Sequence, residues 1–189
     1  MNKLFAALLA ASTATPFAYA DEPNPYYAGL TLSNSGQAKG ISRTGEKVFD
    51  NGRVGVKAFA GYSLSPNFAI EAGYGDYGRY VLKNTGPGTS GDATIDVRML
   101  YLAGKGTHMF TERFGVFGKL GVAHSRFDQF GIGTGDVTMT RAMWGVGLQY
   151  NITKQVALTL EVDKYGKKSM GPTRHYDLNK LEAGLKFSF

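Results

Sequence analysis

Apolar residues recur at every second position along most of the chain after Asp21, a spacing that points to strands with one greasy face. In the last segment Leu181, Ala183, Leu185, Phe187 and Phe189 share one face, while Lys180, Glu182, Gly184, Lys186 and Ser188 share the other. Val156, Leu158, Leu160 and Val162 oppose Ala157, Thr159, Glu161 and Asp163 in the same way, and Arg53–Tyr62 repeats the pattern. Further strands are read near Tyr26–Asn34, Phe68–Tyr77, Thr94–Met109, Phe114–Phe127 and Val137–Tyr150, which makes eight. Thr94–Met109 leaves its register open. Met99, Leu100, Tyr101 and Leu102 are contiguous there, and Arg98 and Lys105 have opposite parity.

The connections alternate strictly between two lengths. Ser63–Asn67, Phe110–Arg113 and Asn151–Lys154 are short and carry Pro, Asn or Thr turn chemistry. Ser35–Gly52, Gly78–Ala93, Asp128–Asp136 and Gly166–Tyr176 are longer, polar and glycine-containing. All long connections therefore fall on one side of an up-and-down meander, with both termini on the other. The predicted fold is all-β, an eight-stranded antiparallel transmembrane barrel with short turns inside and long loops outside.

Composition removes several alternatives. The chain has no Cys, which excludes disulfides, thiol nucleophiles and Cys-based metal sites. Its net charge of +6 is scattered, with no Lys/Arg block of the kind that binds nucleic acid. No apolar run is long enough for a membrane-spanning helix. Residues 1–20 read as a signal peptide: Lys3, then the apolar run Leu4–Ala11, then Ala18-Tyr19-Ala20 as the cleavage site. The barrel is then expected over 21–189.

A water-soluble barrel of the lipocalin type would show the same alternation with its apolar face turned inward around a ligand. Three features favour the outward assignment. The other face carries Gly55, Gly61, Gly73, Gly75, Gly115, Gly121, Gly145, Gly147 and Gly184, as a narrow lumen requires. Tyr26, Tyr62, Phe68, Phe114, Tyr150, Phe187 and Phe189 share the apolar parity and flank short turns or termini, as an interfacial girdle does. The sequence ends on Phe189 without the closing helix of a lipocalin.

With the apolar set outward, Lys57, Glu71, Lys119, Arg141, Glu161, Asp163, Glu182 and Lys186 point inward, four basic and four acidic. Unpaired charges there would be costly, so cross-strand ion pairs are expected, with Arg141 and Asp163 level on neighbouring strands. The reading is a salt-bridged plug, with a narrow ion or small-solute channel as the alternative. Eight strands leave no room for a wide porin-like pore. A lipid A-modifying enzyme is the third reading, and no catalytic set supports it. His108, His124 and His175 are far apart in sequence, and His124 and Ser125, as neighbours on a strand, point to opposite faces. Neither a cofactor nor a metal is expected. Lys167, Lys168 and Arg174 form a basic cluster in a long connection, where lipopolysaccharide phosphates would lie.

These residues resemble the barrel domain of OmpA-like outer-membrane proteins over essentially all of 21–189. Trp144-Gly145-Val146-Gly147-Leu148-Gln149-Tyr150-Asn151-Ile152-Thr153 is similar to that family's penultimate hairpin, and Phe114-Gly115-Val116-Phe117-Gly118-Lys119-Leu120-Gly121 to its fifth strand. The ending Glu182-x-Gly184-x-x-Phe187-x-Phe189 resembles the terminal signal read by the barrel assembly machinery. The resemblance implies an outer-membrane location, a monomer among membrane lipids and lipopolysaccharide, and a structural or surface role in envelope integrity or adhesion. Two departures limit it. The sequence ends at the barrel, so the cell-wall tether of larger members is not expected. Thr159 also stands where the family often has a lumenal base, so its internal ionic lock does not transfer unchanged.

Overall fold

The computed structural model describes residues 25–34, 54–82, 93–130, 135–169 and 175–189. The signal-peptide reading of residues 1–20 lies outside them. Eight strands follow in chain order: β1 (Tyr26–Ser33), β2 (Gly55–Ser65), β3 (Phe68–Leu82), β4 (Ala93–Met109), β5 (Phe114–Phe130), β6 (Gly135–Asn151), β7 (Val156–Ser169) and β8 (His175–Ser188). Each pairs antiparallel with the next, and β8 pairs back to β1, so the sheet is a closed barrel without free edges. At the seam the Phe189 amide donates to the Tyr26 carbonyl at 3.1 Å.

Short turns on one side set the registers. Thr111 and Thr153 occupy equivalent places in two of them. Thr111 Oγ1 accepts from the amides of Arg113 and Phe114, and Thr153 Oγ1 from those of Gln155 and Val156. Each hydroxyl thus satisfies amides that the ladder has not yet reached. In the β2–β3 turn Ser65 Oγ takes the Phe68 amide at 3.1 Å. A bulge in β3 between Asp76 and Arg79 contains Gly78 at φ 76°, whose amide donates to Asp76 Oδ1. Glycine suits that left-handed position because it has no Cβ to clash.

On the far side the strands outrun their expected ends. β3 continues to Leu82, β7 to Ser169, and β8 starts at His175, so Lys167 and Lys168 belong to β7 rather than to a loop. The alternation fades there while the backbone ladder continues.

The faces divide as the alternation requires. Leu102, Leu120, Val146, Leu160 and Leu185 are exposed on the outer wall, and the aromatic girdle named above is exposed around the short-turn end. β4, whose register was open, turns Val97, Met99, Tyr101, Ala103 and Lys105 inward and Leu100 and Leu102 outward. Inside, four aromatic rings each lie against a glycine directly opposite on the adjacent strand: Tyr27 on Gly61, Phe59 on Gly29, Tyr101 on Gly73 and Phe117 on Gly147. A Cβ at any of these glycines would overlap the ring. The lumenal glycines therefore make room for specific rings across the strand.

Candidate functional site: the lumenal ion network

Charged residues on the inner parity of six strands converge at mid-barrel. Lys57 of β2 reaches Glu161 Oε1 at 2.6 Å, Asp163 Oδ2 at 2.7 Å and Glu182 Oε2 at 2.6 Å. Lys119 of β5 bridges Glu161 to Glu71 Oε1, the latter at 2.7 Å. Lys105 of β4 lies 3.4 Å from Glu71 Oε2. A continuous chain of alternating charge thus runs from Lys105 through Glu71, Lys119, Glu161 and Lys57 to Asp163 and Glu182.

Hydroxyls occupy much of the remaining acceptor capacity. Tyr101 and Tyr27 donate to Glu71 at 2.6 and 3.0 Å. Thr31 and Tyr77 donate to Glu182 at 2.6 and 2.9 Å, and Tyr165 donates to Asp163 Oδ2 at 2.8 Å. Asp163 Oδ1 is buried without a partner, against the backbone of Gly145. The Lys119 ammonium also lies 5.3 Å from the Phe117 ring centroid and 5.8 Å from that of Tyr101. Such π contacts help offset the desolvation of a buried cation.

Lys57, Glu71, Asp163 and Glu182 have 0% exposure, so solvent does not reach this level of the lumen. Glu161, Asp163 and Glu182 bring carboxylate oxygens within 4.8 Å of one another, a grouping that could hold a metal ion. Lys57 bonds to all three and supplies positive charge at their centre. The arrangement can tie strands together across the barrel and fill it.

Two inward residues stand apart from this chain. Arg141 shares the parity of Met143 and Gly145 but is exposed. Its expected level with Asp163 is corrected: Asp163 pairs with Gly145, four residues further along β6. Lys186 faces the lumen near the short-turn end, half-buried, and donates to the amide oxygen of Gln149 at 3.0 Å rather than to a carboxylate.

Sequence reasoning missed Lys105, Lys180, which is buried with its ammonium 5.0 Å from the Tyr77 ring centroid, and the tyrosines at 27, 77, 101 and 165. Lys105 shares the parity of Val97, Met99, Tyr101 and Ala103, which the contiguous apolar run Met99–Leu102 hid in the sequence. Arg98, its opposite in parity, is half-exposed and lies 3.8 Å from Asp128. The tyrosines carried no alternation signal, because an inward aromatic looks like any other ring.

The remaining candidates are placed as follows. Glu182 and Gly184 of the terminal motif face inward, and Phe187 and Phe189 are exposed outside. His124 is exposed and lies 2.9 Å from Thr140 Oγ1, whereas Ser125 is buried in the lumen, so the two diverge. Arg174 and the side chains of Lys167 and Lys168 lie outside the described residues.

Residues 4–189 match the family model described as outer membrane protein beta-barrel domain. Outer membrane protein P5 of Haemophilus influenzae is 29% identical over 216 residues, covering 97% of this chain and 58% of that protein. This chain therefore spans less than two thirds of that relative. The N-terminal barrel domain of Pseudomonas aeruginosa OprF aligns with a TM-score of 0.59 at 14% identity, covering 89% of this chain and all of that one. Neisserial surface protein A aligns at 0.58 and 16% identity, with the same coverage. The Yersinia pestis attachment invasion locus protein Ail, in complex with a heparin analogue, aligns at 0.51 and 16% identity, covering 86% of this chain and 96% of that one. At these identities the structural likenesses establish the fold.

Proposed function

This chain belongs to the outer membrane protein β-barrel domain family and resides in the Gram-negative outer membrane, and on that footing we propose that it acts as a sealed envelope scaffold that presents its external connections to the surroundings. The observation that carries this reading is the solvent-free ion chain at mid-lumen, centred on Lys57. A barrel filled at that level is suited to a structural role, and its contacts with the outside then fall to the outer wall and the long-loop end. Catalysis is not part of the reading, since His124 and Ser125 diverge across the sheet.

Planar-bilayer recording tests the sealed state. Purified protein is expected to give no sustained conductance, and a steady open level would favour the narrow-channel alternative. A second experiment replaces 83–92 and 170–174 by short turns in cells. The shortened barrel should still restore detergent resistance to a strain lacking the protein, while attachment of cells to surfaces falls. Loss of both together would argue against a separable scaffold.

The same reading assigns Lys167, Lys168 and Arg174 to lipopolysaccharide phosphates at the long-loop end. Trp144 on the outer wall lies 5.7 Å from the Lys164 ammonium, a pairing typical of a membrane interface. Neutralising the three basic residues should remove the dependence of refolding yield on added lipopolysaccharide. An unchanged dependence would count against the contact.

A further inference from the structure

We propose that the periplasmic mouth of the lumen binds one compact monovalent anion, with the chemistry of chloride, between Lys105 and Lys186. The ammonium nitrogens of both lysines lie 5.4 Å from the centroid of the same ring, Tyr27. Among the described residues, acid to balance them is scarce. Glu71 Oε1 is already taken by Tyr101 and Lys119, and its Oε2 accepts from Tyr27 at 3.0 Å and meets Lys105 only at 3.4 Å. Lys186 bonds to the Gln149 amide oxygen, and among the described residues no carboxylate lies within ion-pair distance of it. Lys105 therefore has one loosely held carboxylate oxygen and Lys186 has none, a deficit that a counterion would offset.

A second observation points to the same place. The Thr159 hydroxyl is buried and has no hydrogen-bond partner. Thr159 pairs with Gln149 on one side and Gly184 on the other, so Lys186 is the next inward residue along β8. Its unused O–H thus lies beside the Lys186–Gln149 bond. Two ammonium groups and a free hydroxyl supply donors here, beside the Gln149 amide oxygen that Lys186 already holds and the Glu71 oxygen 3.4 Å from Lys105. Such a set suits an anion without demanding shape. Access is from the periplasm: Lys186, Ser188, Asn151 and Thr107 are half-exposed, while the level of Lys57 above is sealed.

The test follows thermal unfolding of the refolded protein in neutral detergent micelles while sodium chloride replaces sodium gluconate at constant ionic strength. The midpoint should rise with chloride and saturate as a single-site curve. Lys186→Gln should abolish the rise, with its own midpoint in gluconate, lowered by loss of the bond to Gln149, as the baseline. Thr159→Val should weaken it. A rise of equal size in Lys186→Gln, or no saturable rise in the unaltered chain, overturns the proposal. Bromide-soaked crystals of the unaltered protein need no variant to fold. An anomalous peak between Lys105 Nζ and Lys186 Nζ is expected, and an empty mouth at saturating bromide refutes the site.

Discussion

Lys57 shows how much of this barrel rests on one side chain. It is fully buried and meets Glu161, Asp163 and Glu182 from β7 and β8, so its removal leaves three carboxylates facing one another. Lys57→Met is expected to destabilise the barrel by about 3–5 kcal/mol, the cost of breaking a buried ion pair from one side. Urea titration in lipid vesicles would measure it, and partial recovery in Lys57→Met/Glu182→Gln would show that uncompensated charge is responsible. The glycines make a steric counterpart. Gly73→Val would drive a branched side chain into the Tyr101 ring and displace its hydroxyl from Glu71, so it should lower the unfolding midpoint, whereas Gly104→Val on the open outer wall should be tolerated. At this scale the sequence showed which face was small and charged. It did not show which glycine lay beneath which ring, because that depends on the register with the neighbouring strand.

At the scale of the strand, alternation carries the membrane assignment. Leu160 faces outward in the middle of β7, and Leu160→Arg should cost ~2–4 kcal/mol near the bilayer midplane. Because the chain contains no Cys, single cysteines at 158, 159 and 160 can be probed without background. Spin labels at 158 and 160 should attach and be quenched by lipid-soluble oxygen, whereas Thr159→Cys, facing the filled lumen, should resist labelling. A uniform response along the strand would contradict the face assignment. The turns belong to this scale as well. Thr153→Val loses acceptance from the amides of Gln155 and Val156 and should cost about 0.5–1.5 kcal/mol, with Thr111→Val behaving alike. Boundaries were legible at these turns, where Thr, Asn and Pro punctuate the pattern. They were lost at the other end, where the ladders of β3, β7 and β8 run on past the point at which the sequence alternation fades.

For the whole molecule, closure is the governing fact. β1 and β8 pair through seven residues of β1, from Tyr27 to Ser33, and the last amide of the chain bonds to Tyr26. A closed barrel of this kind should resist dodecyl sulfate at room temperature, so unheated and boiled samples should migrate differently on a gel. Identical mobility would contradict a stable closed sheet. Deleting Phe189 removes the final seam bond and the last aromatic of the terminal motif. It should reduce assembly in cells more than refolding in detergent, read as heat-modifiable protein recovered from each. Strand period, turn chemistry and the balance of lumenal charge could be read along the chain because each depends on residues near one another in sequence. The meeting of Lys57 with acids from β7 and β8, the inward turn of Lys105, and the separation of Arg141 from Asp163 could not. Those depend on barrel closure and strand register, which bring together residues more than a hundred positions apart and decide which charges share a water-free interior.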